Sequence, residues 1–134
     1  MRFAPDGSAV GYSIQGYDET AVLINGRRHT ACLLVCAESL QSPWGAATDP
    51  TALTAEQLDQ LLALAPQVLL LGTGRRALLP RPALLLPFSR RGVGVEIMTT
   101  AAACRTYNVL AAEGRRVVAV LMPPDFEAAT GALT

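Results

Sequence analysis

The chain has 134 residues, of which 51% are hydrophobic and 16% are charged. This length and composition predict one compact domain with an apolar core, and they exclude a disordered chain or two separately cored domains. Eleven basic residues, all of them arginine, balance eleven acidic residues, so no overall positive field favours binding to nucleic acid.

The pattern of cysteines and apolar runs indicates a cytoplasmic protein. Cys32, Cys36 and Cys104 form no Cys-x-x-Cys pair, so neither a disulfide framework nor a zinc site is predicted. The first seven residues lack the apolar stretch of a signal peptide. The apolar run from Leu61 to Leu71 is shorter than the ~20 residues that a transmembrane helix needs, and Pro66 interrupts it.

The first third of the chain predicts antiparallel strands. Residues 9–17 alternate loosely between apolar and polar, and Ala21 to Ile24 is a strand-like run followed by Asn25-Gly26. Because both turn positions tolerate positive φ, this dipeptide predicts a two-residue hairpin whose second strand covers roughly residues 28–37. Ser42 to Gly45 and Asp49-Pro50 predict an irregular connection.

The rest of the chain alternates between helix and strand signals. Thr54 and Gln57 match a capping box that begins a helix to about Ala65, and Pro82 fits the first position of a helix in which Pro87 is a distortion. Thr99 or Thr100 caps a third helix that ends at Gly114. The intervening strands are predicted at residues 67–71, 93–98 and 117–122. The pattern β-α-β-α-β predicts parallel strands with right-handed crossovers in a mixed sheet, over residues 1–124, with a loosely held tail at 125–134.

Three segments carry a resemblance to a known family: Val68 to Gly74, Gly92 to Leu110, and Glu113 to Val117. Together they resemble mitochondrial complex I assembly factor 3 and its small bacterial and archaeal relatives, the Mth938-like proteins. The resemblance implies a three-layer α/β fold and no established enzyme activity for the prokaryotic members. It also implies that the mitochondrial members assemble a respiratory complex by binding a partner factor. Thr99 stands where we expect an acidic residue in the family's pattern, so no carboxylate role is carried over to that position.

One candidate site lies where the strands of the parallel sheet end. Glycine N–H groups, threonine hydroxyls and an arginine fork suit a small anionic ligand, and the N-terminus of the third helix adds unpaired N–H groups. The candidate ligand-binding residues are Gly72, Thr73, Gly74, Arg75, Thr99, Thr100, Arg105 and Asn108. The alternative is a plain tight turn, since the loop lacks the lysine of a Walker loop and the third glycine of a dinucleotide fingerprint.

The remaining candidates for chemistry favour structural roles. Arg105 and Asn108 share one stripe of the third helix and either line a pocket or pack, with Arg105 reaching Glu96 or a carbonyl. Cys104 is interpreted as a small buried hydrophobe and Tyr107 as a core residue. His29, beside the turn, is expected to be solvated, and Trp44 either anchors an interface or caps the core. No catalytic residue, cofactor or metal site is predicted.

Three hypotheses of function follow from these observations. The first is a non-enzymatic interaction protein that binds itself or a partner subunit. The second is an anion-binding or small-molecule-binding domain, or an unrecognised enzyme, with its site at residues 72–76 and 99–108. The third, nucleic-acid binding, needs the pairs Arg75-Arg76, Arg90-Arg91 and Arg115-Arg116 on one face, and neutral net charge disfavours it.

Overall fold

The computed structural model describes residues 11–45 and 53–127. Within these ranges the chain forms eight strands and three helices in the following order: β1 (Ile14–Tyr17), β2 (Val22–Ile24), β3 (Arg27–His29), β4 (Leu33–Val35), β5 (Leu40–Gln41), α1 (Ala55–Ala63), β6 (Val68–Gly72), α2 (Pro82–Arg90), β7 (Gly94–Met98), α3 (Thr100–Ala112) and β8 (Val117–Leu121). The predicted turn at Asp49-Pro50 and the first residues of the predicted strand region lie outside the described residues.

The predicted hairpin is confirmed, but its second strand is shorter than expected. Asn25 and Gly26 have φ of 50° and 82°, the positive values that a two-residue turn needs, and β2 pairs antiparallel with β3. β3 ends at His29, and the expected continuation to residue 37 is wrong because the chain crosses into another sheet as β4. All three residues of β4 are buried, as a strand covered on both faces requires.

A five-stranded sheet forms the centre of the molecule, in the order β5-β4-β8-β6-β7. β6 pairs in parallel with both β7 and β8, while β4 pairs antiparallel with β8. The predicted β-α-β-α-β order with parallel strands is therefore confirmed, and the sheet is mixed. The hairpin forms a separate three-stranded sheet with β1.

The two faces of the central sheet hold two apolar clusters, which makes the fold three-layered. On one face, side chains such as Val68 and Leu70 pack against α3 and the three-stranded sheet. On the other face, alternate residues such as Leu69 and Leu71 pack against α1 and α2, whose buried residues are Leu61 and Phe88. Both clusters use β6 because its five residues are all buried.

The helix boundaries follow from the capping residues. The Thr54 side chain accepts from the Gln57 N–H and the Gln57 side chain accepts from the Thr54 N–H, so the capping box is confirmed, although α1 ends at Ala63. α2 begins at Pro82 as predicted and continues past Pro87 to Arg90. None of the three helices in the described ranges is long and apolar enough to cross a membrane.

The chain after β8 is described as far as residue 127. Phe126 is half-buried and packs against the cluster beneath α1 and α2. The remaining residues of the predicted tail lie outside the described part of the chain, so its loose attachment stays a prediction.

Candidate functional site

The two predicted site segments meet at the carboxyl end of the central sheet. Gly72 ends β6, and the Thr73 N–H that follows donates to the Met98 carbonyl of β7 at 3.0 Å. On the other side, the Met122 N–H donates to the Gly72 carbonyl at 2.8 Å. The loop after β6 is therefore fixed to the ends of both neighbouring strands.

The buried Thr100 side chain connects this loop to the third helix. Its hydroxyl accepts from the Gly74 N–H at 2.8 Å and donates to the Met122 carbonyl at 2.8 Å, and its own N–H donates to the Gly74 carbonyl at 2.9 Å. Thr99 is the N-cap, and its side chain accepts from the Ala102 N–H. The first turn of α3 thus uses threonine oxygens, rather than a ligand, to bind two backbone N–H groups.

The rest of the loop is held by the segment after β8. Gly74 has φ of 95°, and a Cβ there would lie 2.4 Å from the Phe126 carbonyl oxygen, so only glycine fits. The Arg75 N–H donates to the same carbonyl at 3.0 Å. The Thr73 hydroxyl donates to the Arg76 carbonyl and accepts from the Leu78 N–H at 3.0 Å.

These hydrogen bonds are those expected if residues 72–76 form a plain tight turn, the alternative to an anion-binding loop. The Gly74 N–H, one of the glycine N–H groups expected to bind an anion, has an acceptor within the chain, as do the neighbouring N–H groups of Thr73 and Arg75. The Arg75 guanidinium lies 3.7 Å from the Glu127 carboxylate. A ligand-binding role for the predicted residues stays a prediction.

Arg105 and Asn108 both face the three-stranded sheet. Asn108 binds the Ile14 backbone on both sides: its side-chain oxygen accepts from the Ile14 N–H at 3.0 Å, and its amide donates to the Ile14 carbonyl at 2.6 Å. Arg105 donates to the Tyr17 hydroxyl and lies 6.0 Å from the centre of the same ring. Its partner is therefore Tyr17 rather than the predicted Glu96 or a carbonyl, and both side chains fasten α3 to β1.

A cavity of about 630 Å³ lies between the β1–β2 turn, the loop after β6 and the segment after β8. Of the predicted site residues, only Arg75 lines it. Its lining residues are Tyr17, Asp18, Glu19, Thr20, Arg75, Ala101, Pro124 and Asp125. The other predicted residues do not line the cavity. They lie at the end of β6 and its loop, at the start of α3, or, in the case of Arg105 and Asn108, against β1.

The charges around this cavity disfavour an anion. The side chains that line it include three carboxylates, those of Asp18, Glu19 and Asp125, and one guanidinium, that of Arg75. The Asp18 carboxylate accepts from the Thr20 N–H and pairs with Arg28 at 2.8 Å, and these two contacts, in that order, lower its pKa. The lowered pKa keeps the Asp18 carboxylate ionised at neutral pH, and the acidic side chains that line the cavity do not favour a negatively charged ligand.

The buried thiols have environments that suppress reactivity. Burial raises the pKa of Cys32 to about 11. Burial also raises the pKa of Cys104 to about 12, although Arg105 partly opposes this. Since the thiolate is the nucleophile, the raised pKa disfavours a nucleophilic role for either thiol at neutral pH, which agrees with the interpretation of Cys104 as a small hydrophobe.

Two aromatic residues act in the core, and the histidine is less solvated than expected. Tyr107 is buried and donates to the Tyr12 carbonyl at 2.8 Å, as predicted. Trp44 is 2% exposed and donates to the Gln60 side chain at 2.8 Å, so it caps the core rather than anchoring an interface. The expected solvation of His29 is wrong: its ring is half-buried and its Nδ1 lies 3.0 Å from the Ser42 hydroxyl.

The three arginine pairs are not gathered on one face. All six residues are exposed, but Arg75-Arg76 follows the carboxyl end of β6, whereas the other two pairs precede the amino ends of β7 and β8. Because these strands are parallel, the pairs lie at opposite ends of the sheet. Nucleic-acid binding, which needs them together, gains no support.

The cavity residues of the β1–β2 turn were missed by reasoning from sequence. Asp18 and Thr20 carry a weak local signal, because an aspartate that accepts from N–H groups two and three residues later is typical of turns. Nothing in the sequence indicates that this turn lies beside Arg75 and Asp125. That contact depends on how Asn108 fastens β1 to α3.

Comparison with known proteins places these observations in a family. Residues 14–122 match a protein family described as a protein of unknown function (DUF498/DUF598). An uncharacterized protein of Rhodobacter capsulatus is 41% identical over 118 residues, which cover 87% of this chain and 89% of that protein. A solution structure from Bordetella pertussis, described as a Mth938-like domain, has a TM-score of 0.73 and 33% identity, and covers 93% of this chain and 94% of that one.

A bovine relative has a stated role. NADH dehydrogenase (ubiquinone) 1 alpha subcomplex assembly factor 3 of Bos taurus is 32% identical over 120 residues, or 87% of this chain. The match covers 64% of the bovine protein, less than two thirds of its length. The relatives thus include assembly factors and uncharacterised proteins, together with a protein of Francisella tularensis described as a 13 kDa major membrane protein. The resemblance and the mixed α/β fold predicted from the sequence are confirmed.

Proposed function

Since the chain belongs to the DUF498/DUF598 family of proteins of unknown function, we propose that it acts by binding proteins, a partner subunit or a second copy of itself. We further propose that it assists the assembly of an NADH dehydrogenase without catalysing a reaction. The observation that carries this proposal is the similarity to the bovine assembly factor over 87% of the chain. The assembly role of that relative comes to this chain only as a proposal, because fold and family do not by themselves transfer function.

The geometry of the candidate site supports a role without catalysis. The N–H groups at the ends of β6 and β7 are bound within the chain. Cys104 lies in the cluster against α3, while His29 contacts Ser42. A nucleophile with an adjacent base, which covalent catalysis needs, is not formed by these two residues.

Exposed apolar side chains between β6 and β7 support protein binding. Leu79 is 79% exposed and Leu86 is 47% exposed. A single exposed leucine is ordinary, but these two lie within eight residues of each other on one connection. They are therefore the first positions to test for contact with a partner.

A cytoplasmic location is part of the proposal. Cys32, Cys36 and Cys104 are free thiols, as is usual for proteins of the reducing cytoplasm.

The test uses the tagged full chain in its source organism. We expect native affinity purification and mass spectrometry to recover NADH dehydrogenase subunits or their assembly intermediates. Deletion of the gene is expected to lower the amount of assembled enzyme on native gels. The variants Leu79→Arg and Leu86→Arg are compared with Val109→Arg, whose 56% exposed side chain lies on α3. Normal assembly in the deletion strain would overturn the proposed assembly role.

The anion-binding alternative stays a prediction with its own test. It requires that inorganic phosphate raise the melting temperature of the protein, and that Arg75→Gln abolish the rise, because the guanidinium would be the principal charged contact. The three carboxylates that line the cavity together with Arg75 are the reason we favour protein binding over anion binding.

A further inference from the structure

Within the described residues, the outer edge of β7 leaves backbone groups unpaired. β7 is the last strand of the central sheet and pairs only with β6 among the described strands. The Gly94 N–H donates to the Gln67 carbonyl, and the Met98 carbonyl accepts from the Thr73 N–H. Because alternate residues of a strand direct their N–H and C=O groups to the same side, Gly94, Glu96 and Met98 face β6. The groups of Val95 and Ile97 face outward.

These outward groups form an edge on which Glu96 is the only charged side chain. No described residue makes a hydrogen bond with the N–H or carbonyl of Val95 or Ile97. Five consecutive pairs join β7 to β6 without a bulge, and the strand contains no proline and no lysine. Proteins usually blunt such an edge with one of these features, and the opposite edge, β5, is only two residues long.

The side chains along this edge are complementary to themselves in one register. When two copies of β7 run antiparallel with Val95 opposite Val95, Ile97 lies opposite Val93 on the face that carries α2. On the other face, Glu96 lies opposite Gly94. A Cβ added at Gly94 would meet only the Gln67 carbonyl oxygen, at 3.9 Å, so the space beside Gly94 is open.

Other two-fold registers are less favourable. Centring the pair on Glu96 places two carboxylates directly opposite each other, which destabilises a strand pair. Centring it on Ile97 moves the contact toward Thr99 and Thr100, where the strand has ended and α3 begins. The register centred on Val95 keeps both strands within extended backbone.

We propose that the outer edge of β7 is a self-association site at which two copies pair antiparallel, centred on Val95, to form a continuous ten-stranded sheet. Four hydrogen bonds close the pair. Each Val95 N–H donates to the Val95 carbonyl of the second copy, and each Ile97 N–H donates to the Val93 carbonyl of the second copy. The Val93 N–H is already bound to the Phe88 carbonyl at 2.9 Å and takes no part.

This inference deepens the self-association part of the proposed function and can fail independently of the assembly role. A monomer that still recovers dehydrogenase subunits would overturn the paired edge and leave the assembly role intact. If the purified protein is a dimer but the deletion strain assembles the dehydrogenase normally, the paired edge is supported and the assembly role is overturned.

The first experiment measures the mass of the purified full chain by light scattering during size exclusion. At about 100 µM we expect twice the 14.1 kDa of one chain, with dissociation on dilution into the micromolar range. Val95→Pro removes the outward N–H without removing a bond to β6, so we expect dimerisation to weaken at least about tenfold. Circular dichroism and urea unfolding establish that the variant is folded.

A matched pair of substitutions tests the register and does not depend on proline. Gly94→Glu places a carboxylate opposite Glu96 of the second copy, whereas Gly94→Lys places an ammonium there. We expect dimer affinity to fall about tenfold for Gly94→Glu, and to be kept or raised for Gly94→Lys. The wild-type chain remaining monomeric at about 100 µM would overturn the proposal. Equal changes in the two Gly94 variants, or a folded Val95→Pro that still dimerises fully, would also overturn it.

Discussion

The carboxyl end of the central sheet and the outer edge of β7 differ in whether their backbone groups are occupied. At the carboxyl end, a glycine-rich loop and a helix N-terminus have the composition of an anion site, yet Thr100, Met98 and Phe126 bind their polar groups. Along β7, a short and mostly apolar strand suggests only core packing, yet Val95 and Ile97 direct outward backbone groups that no other described residue pairs with. Composition identifies possible donors, but the topology of the sheet determines which of them are available.

The largest expected loss of stability comes from removing the Thr100 hydroxyl at the carboxyl end of the central sheet, which we call the closed end because its backbone groups are bound within the chain. Thr100→Val keeps the shape of the side chain but leaves the buried Gly74 N–H and Met122 carbonyl without their partner. We expect the free energy of unfolding in urea to fall by about 3 kcal/mol, since each buried unsatisfied group costs about 1–3 kcal/mol. Thr99→Ala, which removes only the N-cap, is the control, with an expected loss of about 1 kcal/mol. Equal losses in the two variants would show that Thr100 is not the link.

The space around Gly72, at the end of β6, and around Gly94, on the outer edge of β7, provides a second contrast between the carboxyl end of the sheet and this edge. At Gly72, an added Cβ would lie 2.8 Å from Leu121 Cδ2 and 3.1 Å from Ala103 Cβ, so Gly72→Ala is expected to cost about 1–3 kcal/mol. At Gly94 on the open edge, the corresponding position is uncrowded. We expect Gly94→Ala to change urea stability by less than about 0.5 kcal/mol. A neutral Gly72→Ala would contradict the close packing of this end.

The buried thiols predict a loss of stability at alkaline pH. Cys32 and Cys104 have pKa values of about 11 and about 12 in the folded chain, above the ordinary 9.0. Between pH 9 and the folded pKa values, the unfolded chain loses thiol protons that the folded chain keeps. The contribution of the thiols to the free energy of unfolding is therefore complete well below pH 9 and falls as the pH rises above 9. Urea unfolding should show a decrease of roughly 2–3 kcal/mol between pH 8 and pH 10 for the two thiols together.

The variant Cys104→Ala shows how much of this pH dependence comes from the Cys104 thiol, which is buried beneath α3. The variant should have a shallower decrease of stability with pH than the wild-type chain, because one raised pKa is gone. An unchanged slope would show that the Cys104 thiol is accessible to water in the folded protein.

The smallest expected effect is that of inorganic phosphate. Because the loop N–H groups are bound within the chain and Asp18, Glu19 and Asp125 line the same cavity as Arg75, we expect about 10 mM phosphate to raise the melting temperature no more than chloride of equal ionic strength. A phosphate-specific rise that disappears in Arg75→Gln would instead support the anion site predicted from the sequence.

Local signals in the sequence predicted most of the secondary structure and the parallel core. The Asn25-Gly26 turn, the Thr54 capping box and the apolar run of β6 each depend on neighbouring residues, so they are visible without a structure. The crossing from β3 to β4 was not predicted, because it depends on the pairing of Leu33–Val35 with β8, more than eighty residues later. Non-local pairing of this kind leaves no periodic signal between His29 and Leu33.

The sequence predicted that the two candidate segments meet, but it did not show which of their polar groups are bound within the chain. The carboxyl ends of β6 and β7 do bring Gly74 and Thr100 together, as parallel strands require. Whether Gly74 donates to Thr100 or to a ligand depends on side-chain rotamers and on the return of Phe126 over the loop. Neither is encoded in a short motif.

Amide hydrogen exchange, measured by NMR at two protein concentrations, tests the difference between the closed end and the open edge most directly. We expect the Gly74 and Arg75 amides to exchange slowly at both concentrations, because their acceptors lie within one chain. The Val95 and Ile97 amides should exchange fast when the protein is dilute and slowly when it is concentrated, since only a second copy protects them. Fast exchange at Gly74, or exchange at Val95 that does not change with concentration, would contradict the assignment of these two regions.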